Sequence, residues 1–197
     1  VRVLVTAEVE MNHYKNDMTA LYLATEKGNL EIARLLIDHK CDVDLPGPGG
    51  KTPCYVAAAN GHLGILSLLI SARCVLNTRA ENGQTACSVA LKHGQEQACL
   101  MIIRAGYDVE TMVDNTTIAF LALQQGQFKI LEAIVRSPSF NPDRQDKHGR
   151  TLAYIASVAG STVALRVLNE AIPDYRIRRY VDDRSDLHVV RGDFTPI

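Results

Sequence analysis

The chain has 197 residues, enough for one large domain or two small ones, and 21 Lys and Arg against 22 Asp and Glu leave a formal charge of −1. That balance lacks the basic excess of a general nucleic-acid or membrane-surface binder, and 47% hydrophobic residues are too many for a disordered chain. With no Trp and 6% aromatic residues, the core has to come from aliphatic side chains and alanine, which suits closely packed helices.

In chain order, the stretch from Val3 to Asn12 repeats the pattern of Leu68 to Asn77, so 1–13 is predicted to be the second helix of a partial unit. Then comes Thr19-Ala20-Leu21-Tyr22-Leu23-Ala24, followed by Gly28. The same pattern returns from Thr52 with Gly61, from Thr85 with Gly94, from Thr117 with Gly126 and from Thr151 with Gly160. The threonines are 33, 33, 32 and 34 residues apart, with alanine five and glycine nine residues after each one. Each threonine suits the N-cap of a short first helix, and Pro53 sits where a first turn tolerates proline. Each glycine suits the left-handed residue that ends such a helix.

A second apolar set follows at i, i+3 and i+4: Ile32, Leu35 and Leu36; Ile65, Leu68 and Leu69; Ala98, Met101 and Ile102; Ile130, Ala133 and Ile134; Ala164, Val167 and Leu168. That spacing predicts one buried stripe on a second helix. The units are placed at 14–46, 47–79, 80–112, 113–145 and 146–172, joined by polar turns such as Gly83-Gln84-Thr85. Thr195 follows Thr151 by 44 residues, so 173–190 is expected to be an irregular insertion and 191–197 the start of a truncated further unit. Residues 52–72 carry no charge, but Pro53, Asn60, Gly61, His62 and Ser67 interrupt them, which argues against a membrane span. The chain begins at Val1 without a leader pattern and is expected to be a piece of a longer protein.

The repeat resembles the ankyrin repeat, whose signature is 33 residues, a β-turn plus two helices, and T-P-L-H-x-A. The resemblance covers about 14–170. Only Thr52-Pro53 keeps the T-P pair, and the histidine slot holds Tyr22, Tyr55, Ser88, Phe120 and Tyr154. In the last two units the apolar residue moves one place, to Ile118 and Leu152. The resemblance implies an all-α ankyrin-repeat solenoid with short hairpin connections, and a non-enzymatic protein-interaction scaffold.

Candidate chemistry is sparse. Cys54 and Cys87 fill the apolar slot of the first helix, Cys41 and Cys74 a small-residue slot after the second, and no C-x-x-C pair exists. They read as small core residues in a reducing, intracellular and cytoplasmic setting. Residues 46–52 end in Gly50-Lys51-Thr52 but lack the first glycine of a phosphate loop, and read as a hairpin turn with a Pro-Gly insertion. No H-E-x-x-H and no nucleophile elbow occurs, so neither catalysis, nor a metal, nor a small-molecule cofactor is expected. Asn115-Thr116-Thr117 matches a glycosylation acceptor, but Thr117 is the repeat's own threonine. Arg176, Arg178 and Arg179 are surrounded by Asp174, Asp182, Asp183 and Asp186, and read as a solvated segment.

A protein partner is therefore expected on the concave face made by hairpins and first helices, with no nucleic acid and no membrane insertion. The position four after each threonine is apolar throughout: Leu23, Val56, Val89, Leu121 and Ile155. Beside it stand Tyr22, Tyr55, Phe120 and Tyr154. Two arrangements are open: an apolar groove with tyrosine anchors, or side chains packed under the hairpins. Glu26, Asn60, Lys92, His93 and Gln124 at the first-helix ends, with Lys51, Arg79 and Arg150 at the turns, would form a rim of mixed charge. The rival reading makes the segment a recruiting domain of a larger enzyme, such as an acyltransferase or kinase, or the cytosolic arm of a channel or receptor.

Overall fold

The computed structural model describes residues 12–171. The expected partial helix at 1–13 lies almost wholly outside the described residues, and the insertion and truncated unit at 173–197 wholly so. Ten α-helices occur in the described part: α1 Ala20–Glu26, α2 Leu30–Asp38, α3 Pro53–Asn60, α4 Leu63–Ser71, α5 Ala86–Lys92, α6 Glu96–Arg104, α7 Ile118–Gln124, α8 Phe128–Val135, α9 Leu152–Val158 and α10 Thr162–Ala171. They form five two-helix units. First helices stack on first helices from α1 to α9, and second helices on second helices from α2 to α10. The fold is an all-α repeat solenoid, with only isolated β-bridges at the hairpins among the described residues.

Local chemistry sets each helix pair. Thr19, Thr52, Thr85 and Thr151 accept the backbone N–H three residues on, at 3.2–3.3 Å, which satisfies one orphan donor of the first turn. Thr117 makes no such bond, and its buried hydroxyl has no partner among the described residues. At the other end the five glycines take φ of 63° to 69°. The residue after each glycine then donates its N–H to the carbonyl of the repeated alanine, at 2.8–2.9 Å. Ala57, Ala90, Ala122 and Ala156 are fully buried, because any larger side chain would hold the two helices apart. The uncharged run 52–72 is thereby split at Gly61 into two helices of eight and nine residues. No helix among the described residues is long and apolar enough to cross a membrane.

The second-helix stripe is turned from the expected one, since Leu35, Leu68, Met101, Ala133 and Val167 are only half-buried. Leu66, Cys99 and Leu131 are fully buried beside the expected Ile65, Ala98 and Ile130. The one-place shift at Ile118 and Leu152 leaves α7 and α9 in register, with Ala119 and Ala153 also buried.

Two kinds of hairpin join the units. Lys15–Met18 and Val113–Thr116 are tight turns whose central pairs, Asn16-Asp17 and Asp114-Asn115, all have positive φ. The wider turns close by Gly47 N–H to Lys51 O at 2.8 Å, Ala80 to Gln84 at 2.9 Å and Asp146 to Arg150 at 2.9 Å. Pro48-Gly49 thus occupy the places of Glu81-Asn82 and Lys147-His148, which corrects the expected Pro-Gly insertion: residues are replaced there, and none is added. The uneven spacings have separate causes. The 32-residue step contains the shorter hairpin at Val113–Thr116, and the 34-residue step an extra residue in the turn from Ser137 to Phe140, around Pro138.

A polar ladder ties consecutive loops. The backbone N–H groups of Asp42, Val75, Asp108 and Asn141 donate to side-chain oxygens of Asn12, Asp44, Asn77 and Glu110, at 2.8–3.2 Å. After the second helices, Lys40 and Arg73 adopt φ of 64° and 61° in a place that Gly106 fills in the third unit. Left-handed φ strains a residue with a Cβ, so Arg73→Gly is expected to stabilise the chain by about 0.5–1 kcal/mol. The urea midpoint should rise, measured against the unchanged protein.

Candidate interaction groove

Hairpins of one unit lie over the aromatic slot of the preceding one. A Cβ on Gly47 would come within 2.5 Å of the Tyr22 ring, so the absent side chain is what lets that ring lie flat under the second hairpin. One unit on, Asn82 Nδ2 donates to the Tyr55 hydroxyl at 3.2 Å, while Asn82 Oδ1 accepts from Gln84 N–H at 3.1 Å. Ser88 takes the slot in the third unit and closes a capping box, its hydroxyl accepting from Thr85 N–H at 2.9 Å. Tyr22 and Tyr55 are consequently buried, Phe120 is buried too, and Tyr154 stays 40% exposed.

Of the two arrangements the sequence leaves open, packing under the hairpins describes Tyr22 and Tyr55, while Phe120, Val56 and Val89 are also buried. Leu23, Leu121 and Ile155 are half-buried. A groove of ≈ 440 Å³ lies above α3. It is lined by Tyr22, Glu26, Lys51, Tyr55, Val56, Ala59, Asn60, Asn82, Gln84, Val89 and His93. Its exposed lining is mostly polar, with smaller apolar contributions from Val56, Ala59 and Val89. Eight of the residues singled out in the sequence meet here: Tyr22, Glu26, Lys51, Tyr55, Val56, Asn60, Val89 and His93.

The others lie elsewhere. Lys92 pairs with Asp114 at 3.0 Å, and Arg150 with Asp146 at 2.7 Å. Burial alone would raise the Asp146 pKa, but hydrogen bonds from Arg150 and from the backbone of Arg150 and His148 win, and hold the carboxyl at about 2. Arg79 opens the third hairpin, in a bridge with Thr85. Gln124 is exposed at the end of α7. Ala59, Asn82 and Gln84 belong to the groove but were not found by the sequence pattern, because these positions vary from unit to unit. Asn82 was readable only as a turn residue.

The rim has defined hydrogen-bonding character. His93 Nδ1 lies 3.1 Å from the Ala59 carbonyl, which can only accept, so Nδ1 donates to it. Burial, then the nearby Glu26 carboxylate and Tyr55, push the Tyr22 pKa up, so its hydroxyl remains a donor. Glu26, Lys51, Asn60 and Gln84 have no side-chain partner among the described residues, which leaves one carboxylate, one ammonium and two carboxamides for a ligand. Among the described residues, no three His, Cys, Asp or Glu side chains are grouped to hold a metal ion.

The family model for ankyrin repeats (3 copies) matches residues 1–80 and 41–113, together more than half of the chain. No curated protein matches it.

Proposed function

Because this chain belongs to the ankyrin-repeat family, whose members are generally protein–protein interaction modules, we propose that it is a non-enzymatic scaffold that binds a protein segment in the groove above α3. The observation that carries this reading is the pair of unpartnered amides at Asn60 and Gln84, set in one groove beside Val56, Ala59 and Val89. Carboxamides match the alternating donors and acceptors of an extended peptide backbone, while Val56, Ala59 and Val89 receive small apolar side chains. Glu26 and Lys51 add charge selection at the rim. The groove is preformed by capped helices and bonded hairpins, so little ordering opposes binding. The half-buried Leu23, Leu121 and Ile155, with the exposed Gln124 and Tyr154, extend the same face toward both ends of the array, and Arg79, Lys92 and Arg150 border it. Five buried thiols without disulfides support a reducing, cytoplasmic setting.

The test is selection of displayed random peptides on the intact chain, followed by affinity measurement on variants. Asn60→Arg combined with Gln84→Arg is expected to weaken the selected peptides about tenfold or more, since it fills the groove and removes both amides. Glu132→Lys on the outer face of α8 should leave them unchanged. Equal binding to the groove variant would refute the reading.

A further inference from the structure

Cys87 sits on α5 and Cys99 on α6, in the third unit, and their Sγ atoms lie 3.2 Å apart with both residues fully buried. The helices that carry them are fixed from several sides. The Thr85–Ser88 capping box holds the start of α5, and the Tyr107 hydroxyl lies 3.0 Å from Thr85 Oγ1. Units two and four pack on either flank. Disulfide sulfurs are about 2.05 Å apart, so closure requires an approach of about 1 Å, which small torsional changes in the two side chains can supply.

We propose that Cys87 and Cys99 are a latent disulfide site, reduced in the described structure and closed by a low-molecular-weight disulfide. One protein thiol loses its proton and attacks the reagent's S–S bond, which releases one reagent thiol. The second protein thiol, deprotonated in turn, attacks the protein sulfur of that mixed disulfide and expels the other reagent thiol. Two protein S–H bonds are lost and one S–S bond forms, and the two electrons and two protons end on two reagent thiols. Access comes from transient opening of the unit, because both sulfurs are sealed when it is closed. Burial also keeps Cys87 in its unreactive thiol form there. The bond ties α5, whose Val89 and following His93 line the groove, to α6.

The neighbouring unit supplies an internal comparison. There Cys54 on α3 and Cys74 in the loop after α4 interact, which raises the Cys54 pKa and lowers that of Cys74. The test exposes the whole chain to oxidised glutathione at urea concentrations below the unfolding transition, followed by peptide mapping. The expected product is a Cys87–Cys99 linkage, two hydrogens lighter, formed faster as urea rises, with a higher urea midpoint that dithiothreitol reverses. Cys54→Ala should keep the linkage and Cys99→Ala should abolish it. Untouched thiols, a scrambled mixture, a Cys54–Cys74 linkage in its place, or a lowered urea midpoint would each overturn the proposal.

Discussion

Leu69→Ala is expected to destabilise the chain by about 2–5 kcal/mol, seen as a lower urea midpoint. Leu69 is fully buried on α4, and α4 packs against α2 on one side and α6 on the other. A cavity there weakens both interfaces of the second unit. In a stacked array each unit contacts only its neighbours, so the loss also separates the first unit from the rest. Unfolding should then broaden or split into two steps. A single transition shifted by less than about 1 kcal/mol would mean that the site collapses around the missing atoms.

Tyr107→Ala should cost about 3–5 kcal/mol, and Tyr107→Phe about 1–2 kcal/mol. Tyr107 is 1% exposed in the loop after α6, and its hydroxyl reaches Thr85, the residue that caps α5. The alanine variant loses ring and hydrogen bond together, while the phenylalanine variant isolates the bond. Burial pushes the Tyr107 pKa well above the ordinary phenol value. A raised folded-state pKa gives stability that is fully present below the unfolded value of about 10 and is lost as pH rises beyond it. The urea midpoint should therefore fall with a steeper slope above pH about 10 in the unchanged protein than in Tyr107→Phe. Identical slopes would show that the phenol titrates freely.

Several features were legible in the sequence because they are local. Each threonine, alanine and glycine acts within one turn of its own helix, so their fixed spacing alone marks the five units and both helices in each. The same threonines carry the family resemblance. The groove was half legible. The recurring positions that yield Tyr22, Tyr55, Val56 and Val89 found its floor, whereas Ala59, Asn82 and Gln84 occupy slots with no recurring residue. Tyr22 illustrates the limit: its place on α1 follows from Thr19, but its burial follows from Gly47, contributed by the next unit.

The chain's own periodicity thus determined a stacked array of two-helix units, since capping and helix-ending act between residues a few positions apart. Only the tertiary structure decided what the stacking covers. Hairpins from one unit fall on the aromatics of another, and separately patterned slots meet as the Cys87–Cys99 contact. Those outcomes depend on contacts between residues 12 to 27 positions apart, where the energy lies in packing and desolvation across an interface.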